Sequence, residues 1–475
     1  MSESRNAGDV DLVVTADLMV PMTSEAVIHN AAVAIRDGEI VYAGEAAACS
    51  ELKAERVIET RDSVLLPGLV NAHTHVADHI YGTLVDEADI SESLYEVIFP
   101  LAATLDDELQ YAAARLGLWD ALRSGVSTVC DLNMYADATA RAAAELGARA
   151  IVAEKVVEYR MDTPPSFDRS SRTFTMKWDR TEAERLLQLG IDLVDRWHGH
   201  PLISPAIGPL APDHLSTEML LECANAAEAH GVKLLPHIAQ TTAEGVEIRR
   251  RGYDGSIRYL DAIGFLSPAV HAAHMVFVDD DEIAIAAERG ISMSFNPISM
   301  LACRCFPPIG KLMAAGLRIG FGTDCFSMDM LADMRPAIYA ANFFGVNGAG
   351  TLKAYDVLRM ATIGGAEAIG LGDRIGTIEP GKRADLVLLD LRDPQLLPIT
   401  NVIEAVVYYG SGRDVTHTIV EGNVVYERGG LTLANEDEIF AAGREAAAEW
   451  LRRNRPRLDA SALAARIDKR VYGRS

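Results

Sequence analysis

The stretch VLLPGLVNAHTH, residues 64–75, decides the fold. An apolar run of strand length ends in two histidines that are one residue apart. Side chains at positions i and i+2 of a strand point the same way, so His73 and His75 are expected to face one point. The question is which other residues of the chain meet them there.

Seven further apolar runs of strand length follow downstream, and amphipathic helical segments lie between them. Three of these segments, residues 106–125, 216–231 and 279–290, end in glycine, as helix C-termini prefer. Eight runs alternating with helices predict a (β/α)8 barrel of the TIM type over residues 66–368. The eight runs are GLVNAHTH (68–75), STVCDLN (127–133), ARAIVAEKV (148–156), LISPAIGP (202–209), VKLLPHIAQ (232–240), AVHAAHMV (269–276), ISMSFNP (291–297) and RIGFGTD (318–324).

The two ends of the chain have a different, β-rich texture. Residues 1–65 contain short strand-like runs with a turn at DGE (37–39), and residues 369–432 repeat this texture with a turn at EGN (421–423). Two such flanks are expected to pair into one small sheet domain. Within 369–432 we expect strands at 376–391, 402–410 and 415–430. Residues 433–475 are expected to form an amphipathic helix, 436–455, and a tail.

Composition limits the class of partner. The chain has 475 residues, 49% of them hydrophobic, a formal net charge of -24 and a pI near 4.9. Such acidity repels phosphate backbones and anionic membrane surfaces, so a small-molecule substrate is expected instead of nucleic acid or a membrane. Six scattered cysteines, no signal-peptide pattern and no run long enough to span a bilayer predict a cytoplasmic protein.

Polar residues at the carboxyl ends of barrel strands are the informative ones, because active sites of such barrels lie there. Besides His73 and His75 they are His237, His274 and Asp324, on strands five, six and eight. Three imidazoles and one carboxylate suit a divalent ion such as zinc, iron or cobalt, which would activate water for hydrolysis. Taken singly, each histidine could be structural and Asp324 could cap a helix.

Four stretches together resemble the amidohydrolase superfamily, in particular its deaminase and chlorohydrolase branch of s-triazine hydrolase-like enzymes. They are PGLVNAHTH (67–75), PHIAQ (236–240), AAHMVFVDDDEI (272–283) and FGTDCFSMD (321–329). The resemblance extends to residues 376–391 and 412–429, which look like that branch's C-terminal β-sandwich strands. It implies a barrel with a small β-sandwich built by both chain ends.

The resemblance also implies roles for single residues. His73, His75, His237 and Asp324 would hold one divalent metal ion, zinc before iron or cobalt, and Asp324 would accept the proton of the attacking water. His274 would orient that water or polarise the bond under attack. Strand four has no lysine of the kind that bridges two metals, and Lys155 on strand three is expected to pair internally or to contact substrate. A homodimer is expected from the family.

One position departs from the pattern of the branch. Its deaminases carry a glutamate three residues after the strand-five histidine, and this chain has Gln240. An amide can bind substrate but cannot donate a titratable proton. Glu244, Asp329 or His79 could supply an acid, although each is more simply structural, or Asp324 could carry the proton alone to the leaving nitrogen of a urea, carbamate or amide.

The pocket is expected to suit a flat or greasy molecule. Gln240 is the expected polar contact, and Phe295 and Asn296 make the strand-seven wall partly apolar. His271, at an odd offset from His274, is left out of the site. The expected apolar contacts, for which plain packing is the competing explanation, are Tyr81, Tyr95, Phe99, Met300 and Phe306.

These observations predict a metal-dependent enzyme that hydrolyses a C–N bond of a small nitrogen-rich molecule. A deaminase-type reaction on a heterocycle is the first expectation, with catalysis assigned to Asp324, His274 and Gln240. The alternative is a phenylurea, carbamate or amide hydrolase, which Gln240 favours. A non-catalytic barrel that serves as a binding module is a remote third, because the full ligand set is present.

Overall fold

The computed structural model describes residues 9–49, 51–85, 93–168, 170–171, 173–345 and 352–460. Strands occupy both ends of this part of the chain and recur at intervals between them. In chain order they are β1 (Asp9–Met19), β2 (Ile28–Arg36), β3 (Glu39–Glu45), β4 (Lys53–Glu59), β5 (Ser63–Pro67), β6 (Leu69–Thr74), β7 (Val126–Asn133), β8 (Arg149–Val156), β9 (Ser166–Asp168), β10 (Thr173–Thr175), β11 (Ile203–Pro209), β12 (His237–Ile238), β13 (His271–His274), β14 (Ser292–Phe295), β15 (Arg318–Phe321), β16 (Leu386–Asp390), β17 (Val415–Val420), β18 (Asn423–Glu427) and β19 (Gly430–Leu431).

Helices alternate with the strands from β6 onward. Short 3₁₀ helices cover Ala46–Cys49, Val76–Val85 and Pro394–Leu396, and a π-helix covers Ser93–Ile98. The α-helices are α1 (Phe99–Ala102), α2 (Asp107–Arg123), α3 (Ala136–Leu146), α4 (Arg180–Trp197), α5 (Thr217–His230), α6 (Thr242–Arg250), α7 (Ser256–Ala262), α8 (Asp280–Glu288), α9 (Pro297–Ala302), α10 (Ile309–Ala314), α11 (Met330–Phe344), α12 (Ala354–Met360), α13 (Ile363–Ala368), α14 (Val402–Tyr409) and α15 (Glu436–Ala460).

All eight predicted barrel strands are present and run parallel in two four-stranded sheets. One sheet has the order β11-β8-β7-β6 and the other the order β12-β13-β14-β15. Parallel bridges join the two sheets at both edges, through Leu234 to Ile207 and Val270, and through Thr74 to Asp324. The fold is therefore the (β/α)8 TIM-type barrel that the sequence predicts.

Both ends of the chain contribute to a further sheet, as predicted. Its order is β19-β18-β17-β16-β5-β1-β2-β3, and β4 pairs with β1. Leu12 and Val14 of β1 share an apolar core with Leu386 and Leu388 of β16, so burial of apolar surface holds the two ends together. The exact boundaries between this sheet domain and the barrel stay predictions.

One predicted strand is wrong. Residues 402–410 are rich in β-branched residues, yet Val402–Tyr409 is the helix α14. The Asn401 side chain accepts hydrogen bonds from the backbone amides of Ile403 and Glu404, which is an N-cap. Val402 and Val406 are buried one turn apart, so capping and helical spacing override the β propensity.

The last helix is longer than predicted. α15 runs from Glu436 to Ala460 and passes Pro456, where a helix end is expected. Leu458 is buried beyond the proline and Arg457 donates to the carbonyl of Pro100, so tertiary contacts hold this last turn. The predicted tail beyond residue 460 lies outside the described residues.

Within the described part of the chain, no helix combines the length and the apolar character needed to span a membrane.

Candidate metal centre and active site

Five polar side chains from four strand ends converge at one point of the barrel. His75 Nε2 lies 3.5 Å from Asp324 Oδ1 and 3.4 Å from His237 Nε2. His73 Nε2 lies 3.8 Å from Asp324 Oδ1, and His274 Nε2 lies 3.9 Å from Asp324 Oδ2. The structure thus brings together the residues for which the sequence predicts a metal site.

Unusual backbone angles help to aim these side chains. Ala239, His274 and Asp324 have φ values of 53°, 81° and 60°, in the left-handed region that residues with a side chain rarely adopt. Each lies at or just beyond the end of strand five, six or eight. Such strain, on the order of 1–3 kcal/mol per residue, tends to be retained at functional sites.

Backbone carbonyls fix the tautomers of two of the histidines. His75 Nδ1 donates to the carbonyl of Leu132 at 2.6 Å, and His237 Nδ1 donates to the carbonyl of Leu210 at 2.9 Å. In a neutral ring the proton is then on Nδ1 and the Nε2 lone pair faces the centre. Metal-binding histidines usually donate their other ring N–H in this way, which fixes the orientation of the ring.

Burial keeps the imidazoles of the cluster neutral. Burial and the neighbouring imidazoles lower the pKa of His73 and His75 well below the usual value, and burial lowers the pKa of His237 to about 4. Burial also raises the pKa of the Asp324 carboxyl to about 6. Neutral imidazoles are the form that binds a metal ion.

The residues present fit a divalent cation. Ligand atoms of His73, His75 and His237 lie within 4.8 Å of one another, as do those of His73, His274 and Asp324. His73 Nε2 is buried and has no hydrogen-bond partner among the described residues. A buried polar atom without a partner is costly unless something binds it, and three imidazoles with one carboxylate are a donor set that zinc prefers.

His274 is held in the opposite tautomer by a short relay. Ser294 donates to Asn296 Oδ1 at 2.6 Å, and the Asn296 amide nitrogen donates to His274 Nδ1 at 3.1 Å. The His274 proton is then on Nε2, which faces Asp324. His274 can therefore donate a hydrogen bond into the site. Asn296 was expected only as part of a pocket wall, and its position directly after strand seven was the available signal.

A cavity adjoins the ligand cluster. Of the predicted substrate contacts, Gln240, Tyr95 and Phe99 line it. Further apolar lining comes from Leu94, Ile98, Leu210, Ala211 and Phe326. The cavity thus has a polar end at the ligands and an apolar wall, as small-molecule sites commonly do.

Three predicted substrate contacts are not in the cavity lining. Tyr81 packs edge-on against Trp450 of α15, with ring centroids 5.4 Å apart. Phe306 packs against Phe295 at 5.6 Å, and Met300 is fully buried in α9. These side chains fill the core, which is the competing explanation that the sequence left open.

The sequence reasoning missed several cavity residues. Asp213 and His214 lie on the turn after β11, and Ser299 donates to Asp324 Oδ2 at 2.5 Å. Asp78 and Lys155 also line the cavity. The position of Asp213 and His214 directly after strand four could have indicated them.

The candidates for a replacement acid differ in what they contact. Glu244 lines the cavity, but its carboxylate accepts from the amides of Ala239 and Gln240 and from the hydroxyl of Ser256. It therefore holds the backbone that follows strand five. Burial and the Glu244 charge raise the pKa of the neighbouring Asp213 well above the usual range.

Asp329 and His271 are not among the described residues that line the cavity. Asp329 accepts hydrogen bonds from the amides of Gly412 and Ala332, so it caps α11 and fixes a loop. The side chain of His79 lies outside the described residues. His271 is hydrogen-bonded through both ring nitrogens, to Ser292 and to the carbonyl of Ala72, so it has no nitrogen left for a metal.

Comparison with known proteins agrees with this geometry. The Amidohydrolase family pattern matches residues 64–425. A 5-methylthioadenosine/S-adenosylhomocysteine deaminase from Moorella thermoacetica is 34% identical over 434 residues, which cover 90% of this chain and 96% of the relative.

Solved structures of deaminases and hydrolases have a similar fold. An adenosine deaminase from Xanthomonas campestris with bound zinc has a TM-score of 0.85 and 27% identity, covering 93% of this chain and 99% of that chain. A zinc complex of atrazine chlorohydrolase from Arthrobacter aurescens has a TM-score of 0.80 at 23% identity, covering 92% and 100%, and shares the fold. The chain belongs to the amidohydrolase family and is a metal-dependent hydrolase that acts on carbon–nitrogen bonds other than peptide bonds.

Proposed function

We propose that the protein is an aminohydrolase that replaces an amino group of a small nitrogen heterocycle with oxygen. The observation that carries this proposal is the cluster of His73, His75, His237 and Asp324 at the end of a partly apolar cavity. The names of the relatives, which are deaminases of adenosine-type compounds, support a heterocyclic substrate.

His73, His75, His237 and Asp324 would hold one divalent ion, which when bound lowers the pKa of a water molecule toward neutrality and makes it a nucleophile. Asp324 accepts the proton of the attacking water. The hydrogen bond from Ser299 to Oδ2 leaves Oδ1 turned toward His73 and His75. Asp324 then passes the proton to the leaving nitrogen.

His274 and Gln240 orient the reacting groups. His274 donates from Nε2 toward the group under attack, because Asn296 occupies its Nδ1. The Gln240 side chain makes no hydrogen bond within the described part of the chain, although its backbone amide is tied to Glu244. The free amide can bind a ring nitrogen or an N–H of the substrate.

The wall opposite the ligands would bind the rest of the molecule. Tyr95 stacks on Phe174 at a centroid distance of 5.0 Å and contacts Phe99 edge-on at 5.5 Å. This aromatic layer is rigid and mostly apolar. It suits a flat or greasy substituent of the substrate.

A second candidate is hydrolysis of a phenylurea, carbamate or amide. Gln240 favours it, because no titratable group stands where deaminases of this branch place a glutamate. In this reaction Asp324 carries the proton to the leaving amine, and no ring nitrogen needs protonation.

Zinc is the proposed metal, with iron and cobalt as alternatives, since the donor set is nitrogen-rich and borderline-soft. We also propose a cytoplasmic homodimer that acts on small molecules and has neither nucleic-acid nor membrane partners. Cysteines scattered through a long chain without a paired framework support a reducing compartment. The net charge of -24 supports a small-molecule substrate over nucleic acid or an anionic membrane surface.

Mass spectrometry of a mixed substrate panel tests the proposal. Aminopurines, aminotriazines, pterins, arylureas and carbamates are incubated with zinc-loaded protein. We expect a substrate whose ring stays intact while an amino group is exchanged for oxygen. A substrate that splits into amine and acid fragments would instead select the second candidate.

His237→Ala tests the metal centre directly, and His271→Ala is its matched control. Loss of a ligand should remove both bound zinc and turnover, whereas His271 contributes no ligand and its loss should leave zinc bound. Undiminished turnover in His237→Ala would refute the proposed centre.

A further inference from the structure

Lys155 lies at the carboxyl end of β8 and lines the same cavity as His75 and Asp324. Only 8% of the residue is exposed. Its positive charge contributes to the lowered pKa of His75 and His237 and opposes the burial that raises the pKa of Asp324. The ammonium is therefore close to the reaction centre.

The Lys155 ammonium has no hydrogen-bond or ion-pair partner in the part of the chain that the structure describes. Four buried carboxyl groups, Asp78, Asp131, Glu154 and Asp324, are near enough for its charge to oppose the burial that raises their pKa, but none is within ion-pair distance. The charge is thus balanced at longer range, whereas the N–H donors are not used.

Lys233, a partly exposed lysine, offers a contrast, because its ammonium does have a protein acceptor. Lys233, at the opposite end of the barrel, donates from Nζ to the carbonyl of Pro268 at 3.0 Å. Lys155 is 8% exposed and lines the cavity, and its Nζ is not among the fully buried atoms without a partner, so its donors are open to an acceptor in the cavity. Water can serve in the free enzyme, and a substrate bound in the cavity would replace that water.

We propose that Lys155 is a specificity residue that binds an acceptor oxygen of the substrate. The preferred substrates then carry a carbonyl or comparable oxygen next to the C–N bond that is broken, as amino-oxo heterocycles, ureas and carbamates do. A purely amino-substituted ring offers no such oxygen. The proposal rests on the proposed C–N hydrolysis and narrows its substrate class.

The chemistry of an ammonium supports this choice. It has three donors and no acceptor, so it cannot recognise an amino group, and it strengthens hydrogen bonds to oxygen by its charge. His274 and Lys155 would approach the substrate as donors and Asp324 as an acceptor. The site is therefore donor-rich where a carbonyl would lie.

Steady-state kinetics of Lys155→Met on two probes tests the proposal. The probes are guanine, which has an amino and an oxo group, and adenosine, which has an amino group and a ring without an oxo group. For guanine we expect kcat/KM to fall about 10- to 100-fold, the size of a lost hydrogen bond to a charged group. For adenosine the change should be less than about threefold, since no ring oxygen contacts Lys155.

Lys155→Arg, which keeps the charge and donors, should recover part of the guanine activity, and Lys233→Met should leave both probes unchanged. Circular dichroism and zinc content establish that each variant is folded and loaded. Equal losses on both probes, or no loss on guanine, would overturn the proposal. The proposal would also be overturned if the wild-type protein bound two metal ions per chain and Lys155→Met bound one, because Lys155 would then help to hold a second metal ion.

Binding separates this proposal from the proposed function. Xanthine, which has oxo groups and no amino group, is titrated into the zinc-loaded protein in a calorimeter. Binding that weakens about 10-fold or more in Lys155→Met supports the proposal even if no probe is turned over. Unchanged binding rejects it even if the enzyme deaminates adenosine.

Discussion

Arg149 and Lys155 are two buried cations at opposite ends of the same barrel strand, and their surroundings differ completely. Arg149 is 2% exposed and donates to Asp385 at 2.8 and 2.9 Å, to Glu421, and to the carbonyl of Pro201. Lys155, six residues later on β8, has no such partner among the described residues.

The difference separates stability from function along the strand. Arg149 ties the amino end of the barrel to Asp385, directly before the sheet strand β16, so the guanidinium is paired with protein groups. At the carboxyl end, His73 Nε2, His274 Nε2 and Asp213 Oδ1 have no hydrogen-bond partner in the described chain. Substitutions at the amino end should therefore lower the free energy of unfolding, and substitutions at the carboxyl end should lower kcat.

The largest expected effect is from Asp324→Asn. The amide cannot accept the proton of water and is a poorer metal ligand, so kcat should fall on the order of 1,000-fold or more. The free energy of unfolding should hold or rise, because a buried carboxyl is removed. Paired measurements of kcat, zinc content and urea unfolding check this, and a variant that loses folding in proportion to activity would break the comparison.

Arg149→Met tests the opposite end. Removing one partner leaves Asp385 buried without its cation, which should cost about 3–5 kcal/mol of unfolding free energy. Zinc binding and kcat per folded molecule should not change.

A matched control is Arg160→Met, which removes an ion pair with Asp162 at the surface, where both side chains are more than half exposed. This loss should cost no more than about 1 kcal/mol. Equal costs in the two variants would mean that the buried network does not stabilise the barrel.

His274→Ala is expected to act on the chemistry alone. Removing the Nε2 donor should lower kcat about 100-fold, the order of a lost general acid or oriented donor, while zinc stays bound. Metal analysis by mass spectrometry beside single-turnover rates distinguishes this from loss of the metal. Loss of zinc would make His274 a required ligand instead.

Asn296→Ala should give the smallest effect of this series. It removes the donor that fixes the His274 tautomer, so kcat should fall about 10-fold with KM and zinc content little changed. The control is Ser294→Ala, one step further along the relay, with a smaller loss expected. A larger effect from Ser294 than from Asn296 would show that the relay does not run as described.

Much of the site could be predicted because its signal is local. The two histidines of strand one follow from their spacing, and His237, His274 and Asp324 follow from their places at strand ends. A barrel brings all strand ends to one face, so local order translates directly into proximity.

The remaining features depend on contacts between distant parts of the chain. Tyr81 packs on Trp450, more than three hundred residues away, and no local pattern distinguishes such a tyrosine from one that contacts substrate. The helix at Val402–Tyr409 shows the same limit, since its β-branched residues favour a strand until the Asn401 cap is considered.

Lys155 illustrates a third kind of limit. The sequence placed it on strand three but left open whether it pairs internally or contacts substrate. Only the surroundings of Nζ, to which residues of several barrel strands contribute, separate these alternatives. The hydrogen-bond partners of a buried side chain therefore depend on the fold, and sequence spacing does not predict them.

The central claim is hydrolysis of a C–N bond by activated water, and turnover in water enriched in heavy oxygen tests it most directly. The account predicts that the product carries one heavy oxygen on the carbon that lost nitrogen, with one ammonia or amine released per product. It also predicts that chelation of the metal stops both. Product without heavy oxygen, or turnover that persists after the metal is removed, would contradict the account.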